Sequence, residues 1–191
     1  MKKVVLFVIV FMAIISALIF WYYGSQNKNQ KVENVKEPNI LNQNTTMNLS
    51  STVFFDNGNL PAKYSCDGEK VSPPLVVSGV PEKAVSLVLI VDDPDAPRGI
   101  YTHWTVWNIK PDTKEIEENS VPDGATQGKT SANRPGYAAA CPPSGIHRYT
   151  FKIYALDKML GLSSSADVDD LTAAMDNHIL DQARLIGKYG R

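Results

Sequence analysis

Along most of the chain, apolar residues come in short runs broken by proline, glycine, asparagine and aspartate, the pattern of short strands joined by turns. From Val85 to Val91 the pattern changes: Val85, Leu87, Leu89 and Val91 alternate with Ser86, Val88 and Ile90. Both sets of positions are apolar apart from Ser86, which predicts a strand buried on both faces. Asp92-Asp93-Pro94-Asp95-Ala96-Pro97 ends it. Pro94 and Pro97 each lack a backbone N–H and fix their φ, so this segment leaves the sheet as a stiff turn carrying three carboxylates. Thr102 to Ile109, rich in β-branched and aromatic residues, predicts the returning strand, with His103 near its start.

Upstream, Asn48 to Phe54 reads as a first strand and Phe55 to Pro61 as a turn. Ala62 to Ser65 reads as a short strand leading into Cys66-Asp67-Gly68. Ser72-Pro73-Pro74-Leu75 then enters Val76-Val77, which Gly79-Val80-Pro81 closes. Pro111 to Arg134 has little periodicity and reads as an extended surface loop. Cys141-Pro142-Pro143-Ser144-Gly145 is a second proline-stiffened loop, delivering His147 and Arg148 to a strand that runs from Tyr149 to Leu156. Only the last part changes period. Val168, Leu171, Met175, His178, Ile179 and Ile186 fall at helical spacings, with Asp167 as N-cap and Gly187 as terminator. Strands first and a helix last predict a mainly β, antiparallel sandwich-like domain over residues 47–191 with a C-terminal helix packed on it.

Composition adds two segments before that domain. Val4 to Tyr23 is uncharged, long enough to cross a ~30 Å hydrocarbon core as a helix, and ends in aromatic residues suited to a membrane interface. With Lys2 and Lys3 before it, residues 1–23 predict a membrane anchor that holds the domain outside the cytoplasm; the alternative is a cleaved signal and a secreted domain. Residues 24–46, rich in Asn, Gln, Lys and Glu, predict a polar tether. The whole chain of 191 residues carries a formal net charge of -1, so nothing in it argues for nucleic acid.

Candidate chemistry gathers at the two stiff loops, which deliver His103 and His147, two of the three histidines in the chain. Asp93 is either a turn residue capping its own backbone or a pocket carboxylate. Arg148 alternates away from His147 along its strand and so predicts a structural ion pair, while Tyr149 shares the face of His147 and reads equally as a ligand donor or a half-buried strand aromatic. Ser144 near His147 hints at a hydrolase, but no Gly-x-Ser-x-Gly elbow is present. Two histidines and a carboxylate can hold a metal, yet no His-x-x-x-His or His-Glu-x-x-His spacing occurs. Neither catalysis, a metal nor a cofactor is therefore expected. Cys66 and Cys141, the only cysteines, either form one disulfide joining the two loop regions or stay separate thiols.

Asp93-Pro94-Asp95-Ala96-Pro97 with His103-Trp104, and Gly145-Ile146-His147-Arg148-Tyr149, resemble the paired motifs of the phosphatidylethanolamine-binding proteins. The resemblance spans roughly Met47 to Tyr189. Cys66-Asp67-Gly68, Ser72-Pro73-Pro74-Leu75, Cys141-Pro142-Pro143 and Tyr154-Ala155-Leu156-Asp157 place it nearest the prokaryotic branch. It implies non-catalytic binding of a small anionic or phosphorylated ligand, like a phospholipid head group, in a pocket lined by Asp93, His103, Pro143, His147 and Tyr149. Asp95, Pro97 and Arg148 are then structural. It also allows a second function, inhibition of a protease or kinase partner through an exposed loop such as Thr113 to Asn133. The expected partners are thus the anionic ligand, a protein on the second reading, and a membrane through the N-terminal segment. One departure stands out: Ala139-Ala140 occupies the place where a Gly-Pro pair often precedes Cys-Pro-Pro.

Overall fold

The computed structural model describes residues 47–191. Its strands are β1 (Asn48–Ser50), β2 (Gly58–Asn59), β3 (Leu75–Ser78), β4 (Ser86–Asp93), β5 (Tyr101–Ile109), β6 (Glu115–Ile116), β7 (Thr126–Gln127), β8 (Ile146–Leu156) and β9 (Ile179–Gly190). The helix α1 (Val168–Met175) precedes β9. The strands form a three-stranded sheet in the order β1-β3-β6 and a six-stranded sheet in the order β2-β9-β8-β4-β5-β7. Pairing is antiparallel throughout except between β2 and β9.

Every residue of β4 is buried, and the alternation of its side chains explains how. Leu87, Leu89 and Val91 join Leu49, Leu75, Val77 and Ile116 of the smaller sheet in one core. Val88 and Ile90, on the opposite face, join Trp107, Leu156, Leu160, Leu171 and Met175 in a second core beneath α1. The run from Leu87 to Val91 is therefore apolar on both sides because a sheet covers one face and a helix with its leading loop covers the other, whereas Val85, just before β4, is exposed. The outcome is a mainly β domain with one short helix packed on it.

Four expectations are corrected. The helix reaches only Met175. Asp167 caps it through a capping box with Asp170, but Asn177 then takes φ +62° and the chain continues as the twelve-residue strand β9. Asp181, Leu185 and Gly187 are its buried residues, all on one face of a period-two element. Ile179 and Ile186 are seven apart, a spacing that fits a helix face, and in the strand a bulge at Leu180 keeps them on one face, opposite Leu156 and Thr150 of β8. The long neighbour β8 decides between the two, because its free edge is satisfied along its length by β9. Ala62 to Ser65 is a 3-10 turn over Ala62–Tyr64 rather than a strand, and the first strand stops at Ser50.

The fourth correction concerns location. The segment Val4 to Tyr23 and the tether over 24–46 lie outside the described residues. Among the described residues no helix is long and apolar enough to cross a membrane, and the membrane-held placement drawn from that segment is overturned on this finding.

Candidate functional site

Three strands of the larger sheet open at one end, and the two stiff loops meet there. Asp93, the last residue of β4, pairs with Tyr101 at the start of β5, while Asp92 pairs with Thr150 of β8, three residues beyond His147. A bulge brings His103 in. Val91 lies opposite Trp104 but Asp92 lies opposite Thr102, so β5 holds one extra residue there, His103. A bulge re-aims the side chain at the inserted position. The His103 ring thus packs edge-on against Tyr149, centroids 5.0 Å apart, and against Tyr101 at 4.7 Å.

Asp93 is 3% exposed, His103 6% and His147 7%. The two oxygens of Asp93 serve both roles that its sequence context offers. Oδ1 accepts from the Asp95 amide at 2.8 Å, the turn cap, and Oδ2 accepts from Nδ1 of His147 at 2.6 Å. His103 Nδ1 donates to the Ala138 carbonyl at 2.7 Å. An acceptor at Nδ1 fixes the proton there in both rings, leaving Nε2 as the chemically open nitrogen. Neither Nε2 has a hydrogen-bond partner among the described residues, and neither is among the buried, unpaired side-chain atoms, so each keeps contact with solvent. Burial holds the pKa of His103 below the ordinary imidazole value, an effect opposed by its bond to Ala138 and by the charges of Asp93 and Asp92.

Tyr149 lies deeper than a shallow pocket would need. It is 2% exposed, belongs to the first core, and its hydroxyl is buried without a hydrogen-bond partner. Burial pushes its phenol up from the ordinary value and the Asp93 charge adds to the shift. The Cys141 amide tempers that shift without reaching full bonding geometry. Pro143 is exposed in the loop before His147, and Pro97 is exposed in the turn after Asp93.

The remaining residues brace this mouth. Asp95 takes three bonds from Arg148: the backbone N–H at 2.9 Å, Nε at 2.8 Å and Nη2 at 2.6 Å. The pair ties the turn after β4 to the first turn-out of β8, on the face opposite His147. Its fork of donors holds the Asp95 carboxyl down at about 2. Cys66 and Cys141 are joined in a disulfide with Cα atoms 5.3 Å apart, and the Cys66 N–H donates to the Ala140 carbonyl at 2.9 Å. Ser144 is exposed and makes no hydrogen bond to either imidazole among the described residues, and no three His, Cys, Asp or Glu side chains there are grouped to hold a metal.

Sequence reasoning missed two contributors. One is the Ala138 carbonyl, which no side-chain pattern reveals. The other is the ion pair of Asp92 with Lys152 on the far face of the sheet. A signal for it existed: Lys152 interrupts an apolar strand between Phe151 and Ile153, and a lysine so placed needs a carboxylate. A cavity of about 460 Å³ is lined by Leu60, Gly145, Ile146, Lys188, Tyr189 and Arg191, among others, but by none of Asp93, His103 and His147. The site is placed at the histidines because open polar groups converge there.

Comparison with known proteins agrees with this architecture. The family model described as phosphatidylethanolamine-binding protein matches residues 50–190. A UPF0098 protein of Methanothermobacter thermautotrophicus is 49% identical over 150 residues, covering 76% of this chain and 99% of that protein. One from Pyrococcus horikoshii is 44% identical over 150 residues, covering 74% of this chain and 75% of its own. Among solved structures, a phosphatidylethanolamine-binding protein homologue from Chlamydia trachomatis matches with a TM-score of 0.74 and 42% identity, over 76% of this chain and 97% of that one. YbcL of E. coli, described as a member of the mammalian family, matches with a TM-score of 0.72 and 28% identity, over 76% and 98%.

Proposed function

This chain belongs to the phosphatidylethanolamine-binding protein family, in its prokaryotic branch, and from that premise we propose that it binds a small anionic or phosphorylated ligand, of the kind a phospholipid head group presents, without converting it chemically. The observation that carries this reading is the pair of buried imidazoles whose Nδ1 atoms are engaged by Asp93 and Ala138 while both Nε2 atoms stay open. A proton taken up at the open Nε2 turns the neutral ring into a charge-assisted Nε2–H donor, for which an incoming anion supplies the acceptor. The charge of Asp93 favours that proton on His103. Binding therefore takes up protons and tightens as pH falls through the imidazole range. The Asp93–His147 dyad resembles a base with its orienting acid, but it has no nucleophile within bonding distance among the described residues, which favours capture over turnover.

Calorimetric titration with inorganic phosphate and with phosphoethanolamine tests the reading. His147→Asn keeps a donor for Asp93 and lacks an equivalent of Nε2, and His103→Asn does the same for Ala138. Each is expected to weaken binding by about 1–3 kcal/mol, the range of a hydrogen bond to a charged group, with little change in the thermal transition. Unchanged affinity in both variants overturns the site.

A further inference from the structure

The disulfide sits at the surface beside a fixed cation. Cys141 is exposed and Cys66 half-buried. The Arg191 guanidinium lies against both sulfurs, Nη1 being 3.9 Å from Cys66 Sγ and 3.8 Å from Cys141 Sγ. Arg191 is held in place from two sides. Its Nε lies 3.3 Å from Asp67 Oδ2, which also accepts from the Tyr189 hydroxyl at 2.7 Å. Its main chain exchanges hydrogen bonds in both directions with Gly145. A thiolate released from this bond emerges next to a positive charge, and such a charge lowers the thiol pKa and makes the sulfur a better leaving group. Exposed sulfurs with a stabilised leaving group mark labile bridges rather than inert ones.

The same bond is one end of a lever on the candidate site. Cys141 to Ile146 run directly into His147, and Pro143 to Ile146 are all exposed. Apart from the bridge, this stretch is held by the burial of Pro142, by the Gly145–Arg191 exchange and by the pairing of Ile146 with Gly190 at its far end, and the residue before it, Ala140, by the Cys66 amide. Tyr189, held by Asp67, is also the ladder partner of His147. Loss of the bridge therefore frees the loop from one side and loosens the strand partner of His147 from the other.

We propose that the Cys66–Cys141 bridge is a redox-responsive clamp on the loop that positions His147: oxidised it fixes the loop, and reduced by a dithiol it releases the loop and weakens anion binding. In the exchange, a thiolate of the dithiol attacks one protein sulfur, the S–S bond breaks, and the other cysteine leaves as a thiolate beside Arg191. The second thiol of the reductant then displaces the remaining protein sulfur. Two electrons pass from the dithiol to the protein, the dithiol closes to its own disulfide, and its two protons end on the two cysteines. The effect on binding rests on the function proposed above, whereas release of the loop does not.

The test treats the full chain with graded dithiothreitol without denaturant. Free thiols, amide exchange at Gly145 and Ile146, and affinity for inorganic phosphate are read on the same samples. The expected result is two thiols appearing in the folded protein, faster exchange at both amides, and a loss of phosphate affinity of at least fivefold that reoxidation restores. Arg191→Gln should slow reduction several-fold and leave the oxidised affinity unchanged. A bridge that yields only on unfolding, or one that is reduced with exchange and affinity unaltered, overturns the clamp. If the oxidised protein binds no phosphate, the proposed function fails while amide exchange still decides whether the loop is clamped. The double variant Cys66→Ser with Cys141→Ser, where it folds, should match the reduced protein in both readouts.

Discussion

Tyr149→Phe should move stability and binding in opposite directions. The substitution removes one oxygen and leaves the ring, so the edge-on contact with His103 at 5.0 Å is kept. The hydroxyl it removes is buried and unpaired. On protein mutational scales such a group costs about 1–3 kcal/mol, and a small loss of packing from the missing atom offsets part of the gain. The expected net effect is a stabilisation of roughly 1 kcal/mol. With a urea slope of about 2 kcal/mol/M, the unfolding midpoint rises by roughly 0.5 M. If the hydroxyl is kept unpaired in order to meet a ligand, phosphate affinity falls at the same time by about fivefold or more. Thr105→Val is the control. Its Oγ1 is likewise buried and unpaired, but it lies on the second-core face beside Trp107, so stability should rise with affinity unchanged. A fall in the Tyr149→Phe midpoint worth more than about 0.5 kcal/mol would show that the hydroxyl is bonded, for instance to a held water. Unaltered phosphate affinity would remove Tyr149 from the site.

Burial depresses the folded-state pKa of His103, so as pH falls the unfolded chain takes up the proton first; the contribution is full above ~6.5 and is lost below it, and urea midpoints should drop between pH 7 and pH 5 by less in His103→Asn than in the unsubstituted protein. Asp95 carries the opposite kind of dependence. Held at about 2 by Arg148, it stabilises the fold above the ordinary carboxylate range and loses that effect as pH falls toward 2, so Asp95→Asn should be destabilised at pH 7 and nearly indistinguishable at pH 2. Gly128→Ala places a Cβ 2.8 Å from both the Ala166 carbonyl and Thr105 Oγ1, which should lower stability by roughly 1–3 kcal/mol in urea titration without affecting phosphate binding.

The parts of this fold that were legible in the sequence are those set by local chemistry. Apolar residues at both parities from Leu87 to Val91 have few explanations besides a doubly covered strand, and two proline loops, each leading to a histidine, announce a rigid mouth. The capping box at Asp167 is equally local. What was not legible depends on partners distant in sequence. Ile179 and Ile186 suit either period until β8 supplies an edge to be paired. The bulge at His103 is visible only in the register of β5 against β4, although it is what turns that imidazole toward Tyr149. Tyr149 reads as half-buried on its own strand because the core that buries it gathers residues scattered along the chain, among them Leu49, Leu75 and Ile116.

The position of β4 in the sheet bears on how the chain must be made. One neighbour, β5, follows after a short turn, but the other, β8, pairs Leu156 with Ser86, so a whole edge of β4 waits for residues far downstream. During synthesis at ~5–20 residues per second this leaves a charge-free, β-prone segment half-paired for several seconds, the state in which strand-to-strand aggregation begins. Lys83 before the segment, and Asp92, Asp93 and Pro94 after it, stand where gatekeeping residues interrupt such stacking. The carboxylates at the mouth of the candidate site thus protect the nascent chain before they have any imidazole to meet.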